Sequence, residues 1–225
     1  MRIDYIKKSA VKALKERKEK FLFNNILVFL KDDLPETVDI EVVLKKIEET
    51  IPTHFFYLID AIYIGHFDIF DQNQTNAAYK DGAIYVSNAQ HDVNDMVDDI
   101  VHEIAHSAEN LYGEDLYGDD AIELEFLGKR KRLYQILDYE GYEVNLTDFY
   151  NTEYSEKFDE LLYREIGYDT LQKFTSGLFV SPYGATSLQE YFANCFEHYY
   201  LHNRQIVKKL SPMVYNKLEN IGDLT

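Results

Sequence analysis

His102-Glu103-Ile104-Ala105-His106 is the most informative stretch of the chain, because its two histidines are four residues apart. On an α-helix, positions i and i+4 lie on the same face, about 6 Å apart along the axis. His102 and His106 can therefore direct their imidazole rings at one metal ion. Glu103 follows the first histidine directly, where its carboxylate can take a proton from a water at the metal. The motif predicts a zinc-hydrolase helix.

The residues on either side of the motif also have a helical pattern. Apolar residues recur every three or four positions through residues 93–108, which predicts one buried stripe. Asp92 or Asn94 can cap the N-terminus of this helix, and Gly113 lies just past its expected end. We therefore expect the histidine pair at the border between the core and an acidic surface, where a catalytic metal site needs it.

A third protein ligand is required, because two histidines leave a catalytic zinc ion under-coordinated. Glu109 is a weak candidate, since its carboxylate would have to reach back past His106. Glu190 is a better one: it lies in a second helical pattern, residues 187–197, where an inward carboxylate is costly unless a metal or charge meets it. The alternative is an ordinary surface glutamate.

Tyr183 precedes Glu190 by seven residues, in a loop that enters the second helical pattern. Its hydroxyl can donate a proton or a hydrogen bond to an oxyanion or a leaving amine. The alternative is a half-buried aromatic side chain, which is a common role in a chain with 19 tyrosines.

Together, the residues of these two segments resemble a known family. The histidine motif, Tyr183 and then Glu190-Tyr191-Phe192-Ala193 resemble the catalytic domain of anthrax lethal factor and related zinc endopeptidases. In that family a tyrosine precedes the ligand glutamate by seven residues, and the glutamate opens a Glu-aromatic-Phe-Ala helix. The resemblance covers roughly residues 77–110 and 180–200. It implies Zn²⁺ as cofactor with His102, His106 and Glu190 as ligands, Glu103 as general base, and Tyr183 as an aid to the transition state.

Two departures from the family pattern stand out. The gap between His106 and Tyr183 is longer than in the toxin, and Asn194 stands where related proteins often have an acidic residue next to a ligand histidine. Asn194 can still accept a hydrogen bond from such a histidine, although more weakly than a carboxylate. The metzincin pattern, with a glycine and a third histidine on a following turn, is absent, because Glu109 and Tyr112 occupy those places.

The order of helical and strand patterns predicts an α+β fold, mainly helical, with a small mixed sheet beside the metal helix; the resemblance implies that this fold is zincin-like. We expect a single domain over residues 1–225, with a helical lead-in over 1–50 and a catalytic core over 51–225. Strands are predicted at 55–59, 61–65, and on both sides of the Asp81-Gly82 turn. Helices are predicted over 5–30, 39–50, 92–108, 121–137, 154–165, 169–177, 187–202 and 211–219.

The composition of the chain limits the classes of partner and location that we expect. A hydrophobic fraction of 46% predicts a folded protein, and a net charge of −17 disfavours nucleic acid as a partner. The basic run at 129–132 is then predicted to be a solvated helix face. No stretch has 18 apolar residues, so we expect no membrane partner and a cytoplasmic location, with export by a non-classical route as the alternative.

The single cysteine, Cys195, excludes an internal disulfide and a zinc site built from several cysteines, and its predicted role is packing. His198 and His202 also share a helix face, but aromatic residues crowd the turn between them. We expect them to be core or surface histidines and not ligands.

We therefore expect a zinc-dependent endopeptidase that acts on protein or peptide substrates. The alternative is a non-catalytic protein of a phage or mobile element that keeps the fold for interaction or structure. Glu103 and Tyr183 argue against that alternative, because a purely structural zinc site needs neither a base nor a hydroxyl donor.

Overall fold

Alternating apolar residues form a five-stranded mixed sheet in the computed structural model, which describes residues 18–73 and 75–222. Its strands are paired in the order β1-β2-β3-β5-β4, with β2, β3 and β5 parallel and the two edge strands antiparallel. The strands are β1 (Glu19–Leu22), β2 (Ile26–Leu30), β3 (Ala61–Ile64), β4 (Ala77–Lys80) and β5 (Ala83–Val86).

The two faces of this sheet differ. Val28, Ile62 and Ile84 lie side by side in register and are fully buried, so they form one core-facing row. On the opposite face, Tyr63 and Tyr85 stack with ring centroids 5.4 Å apart. This alternation is what a strand period of two requires when one face is buried.

Helices account for most of the remaining described residues, so the predicted α+β, mainly helical class is confirmed. Short 3₁₀ turns lie at Thr53–Phe56, Leu146–Tyr150 and Tyr183–Ala185, and a π-helical segment at Leu161–Gly167. The α-helices are α1 (Ile40–Thr50), α2 (Asp68–Asn73), α3 (Val93–Tyr117), α4 (Ala121–Tyr139), α5 (Glu156–Glu160), α6 (Tyr168–Thr175), α7 (Leu188–Leu201), α8 (Arg204–Leu210) and α9 (Pro212–Gly222).

The chain forms two compact units. One comprises the described residues up to Glu49 together with Ile59–Ile100, and its core includes the buried row of the sheet and the apolar face of α1. The other comprises Thr50–Leu58 and the described residues from Val101 onward. Within this second unit, α7 packs against α8 and α9, and α4 packs against the Leu146–Tyr150 turn and α6.

The prediction of a helix over residues 5–30 is wrong for the part that the structure describes. Residues 19–30 form the β1–β2 hairpin, and the remainder of the predicted helix lies mostly outside the described residues. The turn contains Phe23 and Asn24 with φ of 50° and 62°. Asparagine tolerates this left-handed conformation better than most residues, so Asn24-Asn25 was a turn signal inside an apolar run.

The strand predicted at 55–59 is also wrong. The strand predicted at 61–65 is confirmed over Ala61–Ile64, and those on both sides of the Asp81-Gly82 turn are confirmed. Phe55 lies in the 3₁₀ turn that follows Pro52 and packs edge-on against Phe196, with ring centroids 5.0 Å apart. Aromatic composition favours a strand in general. Here burial among other rings of the second unit determines the local structure instead.

The metal-motif helix α3 begins where the sequence predicts. The side chain of Asp92 accepts hydrogen bonds from the backbone amides of Asn94 and Asp95, at 2.6 and 3.2 Å, and so caps the helix. The helix does not end before Gly113. It bends at Tyr112, whose φ of −111° and ψ of 18° are not helical, and continues to Tyr117. Burial of Leu116 supports this last segment, which lies beyond the end that Gly113 had suggested.

The basic run on α4 is only partly a solvated face. Lys131 and Arg132 are exposed as predicted, but Arg130 is only 1% exposed. Lys129 is directed inward and donates hydrogen bonds to the backbone oxygen of Leu210 and the hydroxyl of Ser211, at 2.5 and 3.0 Å. Charge alone does not show which side chains of such a run find buried acceptors.

Across residues 18–73 and 75–222, none of the helices combines the length and the apolar character that crossing a membrane requires.

We predict that buried His54 destabilises the protein in mild acid. The side chain is 6% exposed, neither ring nitrogen has a hydrogen-bond partner within the described chain, and burial lowers the pKa of His54 below 6.5. As the pH falls below 6.5, the unfolded chain therefore binds a proton that the folded chain does not, and the free energy of unfolding decreases. Above pH 6.5 the imidazole is neutral in both the folded and the unfolded chain, so His54 then costs the protein no stability through protonation.

The variant His54→Phe should reduce this acid-dependent loss. Urea unfolding of chelator-treated protein, from about pH 7.5 to about pH 5.5, would measure it, and one proton limits the difference in slope to about 1.4 kcal/mol per pH unit. Identical slopes for the wild type and the variant would contradict the prediction.

Candidate metal centre

The two motif histidines meet side by side on α3, in the second unit. Their ring centroids are 5.0 Å apart with the planes nearly perpendicular, as i and i+4 positions allow. Both side chains are mostly buried. The helix therefore holds His102 and His106 on one face with little freedom to rotate away.

Glu190 faces both imidazoles from α7. Its Oε2 atom lies 2.9 Å from Nε2 of His102, and its Oε1 atom lies 3.7 Å from Nε2 of His106. One possible ligand atom from each of the three residues lies within 4.8 Å of the other two. The structure thus brings together the three residues that the sequence predicted as ligands, from segments 84 or more positions apart.

Local sequence explains why Glu190 is held in this position. Ser187 has an extended backbone and caps α7, accepting a hydrogen bond from the amide of Glu190 at 3.2 Å. Serine followed three residues later by glutamate usually indicates a capping box, in which the carboxylate returns to the helix terminus. Here the carboxylate is directed to the imidazoles instead. Ser187 therefore fixes the backbone as in a capping box, whereas Glu190 becomes a candidate metal ligand.

A second set of carboxylates lies behind the histidines. Oε2 of Glu197 is 3.6 Å from Nδ1 of His102, and Oε2 of Glu109 is 3.1 Å from Nδ1 of His106. The hydroxyl of Tyr117 donates a hydrogen bond to the other oxygen of Glu109. Each imidazole therefore has its Nε2 towards Glu190 and its Nδ1 towards an outer acid, the arrangement that orients ligand histidines in metal sites.

Sequence reasoning misplaced these outer contacts. Glu109, considered only as a weak ligand candidate, supports His106. Asn194, predicted to contact a ligand histidine, instead donates to the backbone oxygen of Glu190 at 2.9 Å and accepts from the hydroxyl of Ser181. The sequence patterns above assign no role to Glu197, although its position seven residues after Glu190 puts both on one face of α7.

The electrostatics of the cluster favour a cation. Burial on its own lowers the pKa of His102, but hydrogen bonds to Glu190 and Glu197 outweigh it and raise that pKa to about 10. Burial raises the pKa of Glu190, yet the neighbouring His102 and His106 bring it below its usual value. Two nitrogens and one carboxylate are the donor set of catalytic zinc sites, and the surrounding negative charge suits a divalent ion. The residues present therefore fit zinc.

Glu103 and Tyr183 lie next to this cluster. Glu103 is 7% exposed, and its charge contributes to the raised pKa of His102. The ring of Tyr183 lies 6.2 Å from that of His102, its hydroxyl helps to lower the pKa of Glu190, and 43% of the residue is exposed. Burial of the phenol and the negative charge of Glu190 raise the pKa of Tyr183, so its hydroxyl keeps the proton that a donor needs.

The remaining candidates have other surroundings. Cys195 is fully buried on α7, as its predicted packing role requires, and burial raises its pKa to about 12. His202 lies 3.3 Å from the outer acid Glu197, and His198 is partly buried with a lowered pKa caused by burial.

Comparisons of the chain with protein-family models, with curated proteins and with solved structures gave no match. The function of the chain must therefore be inferred from the residues of the site and from the resemblance of its motif.

We predict that zinc binding depends on Glu190. Glu190→Gln keeps the size of the side chain but removes its negative charge, so zinc affinity should fall by more than the roughly 10–100-fold typical of residues behind the ligands. Competition titration with a chromophoric chelator measures this affinity. The same substitution at exposed Glu143 is the matched control and should bind zinc as the wild type does. Equal affinities in all three proteins would exclude Glu190 as a ligand.

We expect a smaller loss of zinc affinity when Glu197, the outer acid next to His102, is changed. Glu197→Gln should weaken zinc binding about 10–100-fold, because the ring of His102 loses an anion that orients it. The titration is the same, with a thermal melt of the metal-free protein to verify folding. An unchanged zinc affinity would show that the 3.6 Å contact has no role in the metal centre.

Proposed function

We propose that the protein is a zinc-dependent endopeptidase that hydrolyses peptide bonds in protein or peptide substrates. The observation that carries this proposal is the approach of the Glu190 carboxylate to Nε2 of both His102 and His106. The likeness of the motif residues to those of lethal-factor-like zinc endopeptidases supports the same reaction. The net charge of −17 favours peptide over nucleic acid as substrate.

Zinc is the metal that we propose, held by His102, His106 and Glu190. A zinc ion with three protein ligands supplies an open position, a water of lowered pKa and polarisation of the scissile carbonyl. The chain's own residues must then move protons and stabilise charge around the reacting bond.

Glu103 is the proposed general base. It follows a ligand histidine on α3 and is shielded from solvent. As a carboxylate it accepts a proton from the attacking water and transfers it to the departing amine nitrogen, so one residue serves both halves of the reaction. General acid–base catalysis of this kind typically contributes about 10²–10⁴-fold to the rate.

Tyr183 is the proposed oxyanion donor. The residue is partly exposed next to the cluster, and its raised pKa keeps the hydroxyl protonated. As negative charge develops on the carbonyl oxygen, this hydroxyl can donate a hydrogen bond to it. Loss of one such donor typically costs about 3–4 kcal/mol of transition-state stabilisation.

We predict that Glu103→Gln lowers the rate of peptide cleavage by about 10²–10⁴-fold while zinc remains bound. A proteome-derived peptide library, analysed by mass spectrometry, would reveal cleavage whatever sequence the enzyme prefers. Zinc content is measured on the same samples, and Glu143→Gln again serves as the control. Cleavage by the wild type should stop with a chelator and return with added zinc.

Two results would count against the proposal. Full activity in the zinc-loaded Glu103→Gln protein would exclude Glu103 as the base. A zinc-loaded wild type that cleaves no peptide in the library would favour the non-catalytic alternative.

A further inference from the structure

Arg130 is the largest fully buried side chain among the described residues, and the proposed chemistry does not use it. It lies on α4, and its guanidinium stacks on the ring of Phe158, 3.9 Å from the centroid. Burial lowers the pKa of Arg130 to about 9, so the side chain still carries its charge at neutral pH. A buried cation is costly unless its donors find acceptors, so its partners indicate why it is retained.

The acceptors of Arg130 are backbone oxygens from two separate turns. Nη1 donates to the oxygens of Ala185 and Thr186, at 3.0 and 3.2 Å, and Nη2 donates to the oxygen of Asp148 at 2.5 Å. Ala185 and Thr186 are buried and precede α7, so the amides of that helix cannot satisfy their carbonyls. The planar fork of an arginine reaches both turns at once.

These carbonyls lie between two residues of the proposed active site. The hydroxyl of Thr186 donates to the backbone oxygen of Tyr183 at 2.7 Å, which closes the turn on its N-terminal side. On its C-terminal side, Ser187 caps α7 through the amide of Glu190. The guanidinium therefore holds the middle of a five-residue segment, 183–187, that begins at the proposed oxyanion donor and leads directly to the proposed ligand helix.

We propose that Arg130 is a positioning residue of the metal centre: by fixing the carbonyls of Ala185 and Thr186, it holds the Tyr183 phenol and the Glu190 carboxylate in place against the two imidazoles. Its effect on cleavage rests on the proposed function, whereas its effects on metal affinity and on the order of the segment do not. Arg130 acts through these residues and does not itself contact the imidazoles.

Arg130→Met and Arg130→Lys test this role. Methionine keeps an apolar chain over Phe158 but donates nothing, and lysine supplies one point donor in place of the fork. We expect zinc affinity to fall about 10–100-fold in Arg130→Met, by the magnitude typical of groups that orient ligands, and less in Arg130→Lys. Hydrogen exchange of the metal-free proteins should become faster in peptides that cover residues 183–190. Where cleavage is measurable, kcat should fall more than KM rises.

Leu137→Ala is the matched control. Leu137 is fully buried two turns further along α4, so its truncation destabilises the same helix without removing a donor from the turn. Its zinc affinity and its exchange over 183–190 should stay close to those of the wild type. If Arg130→Met does not fold, the comparison of Arg130→Lys with Leu137→Ala decides the question.

The results separate this inference from the proposed function. Wild-type affinity and exchange in the folded Arg130 variants, or equal losses in Arg130→Lys and Leu137→Ala, would overturn the positioning role. A wild type that binds zinc but cleaves nothing would overturn the peptidase proposal alone, because the affinity and exchange measurements still test Arg130. A wild type that binds no zinc would overturn the positioning of a metal centre.

Discussion

The carboxylate of Glu190 lies against the Nε2 atoms of two imidazoles, and the rest of the second unit is arranged around this contact. The three groups come from two helices and are largely shielded from water. The carboxylate would not be stable in such a place alone, because burial penalises an isolated charge. The two imidazoles offset that penalty, because they lower the pKa of Glu190, and each directs its Nε2 atom towards the carboxylate. The outer acids Glu109 and Glu197 extend the arrangement by one layer.

The support for Glu190 is as specific as the contact itself. Ser187 fixes the first turn of α7, Asn194 binds the backbone of Glu190 one turn later, and Arg130 satisfies the carbonyls just before the helix. Three different side chains therefore hold one short stretch of backbone, residues 185–190. The Ser187 cap determines at which residue α7 begins, whereas the long-range contacts of Arg130 help to determine where the first turn lies in space.

The sequence predicted best what is local. His102 and His106 are related by helix periodicity, and Asp92 caps their helix as its residue type suggests. Glu190 was found through its unfavourable place in an apolar pattern and through the motif resemblance. Glu197 was missed, because a glutamate on a half-polar face has no distinguishing pattern until the partner histidine is located in space.

Other predictions were wrong where tertiary contacts or a turn outweighed composition. The apolar run around Asn24 suggested a helix, but two residues with positive φ turn it into a hairpin. Phe55 belongs to a strand-like sequence, yet it packs among rings in a 3₁₀ turn. Arg130 was predicted to lie on a solvated basic face, and only the positions of distant backbone carbonyls distinguish it from the exposed Arg132. Burial of this kind depends on the whole fold and is not encoded in a window of neighbouring residues.

The bend in α3 has a consequence for engineering. In a straight helix, residues eight positions apart are separated by about 12 Å along the axis, yet the phenol of Tyr117 reaches Glu109 from beyond the bend at Tyr112. The hydroxyl that holds the acid behind His106 thus lies on the far side of the irregular residue. Replacing the bend with a regular helix to raise thermal stability would move the Tyr117 hydroxyl relative to Glu109 and so disturb the orientation of the His106 imidazole. A redesign of this helix should therefore keep the bend.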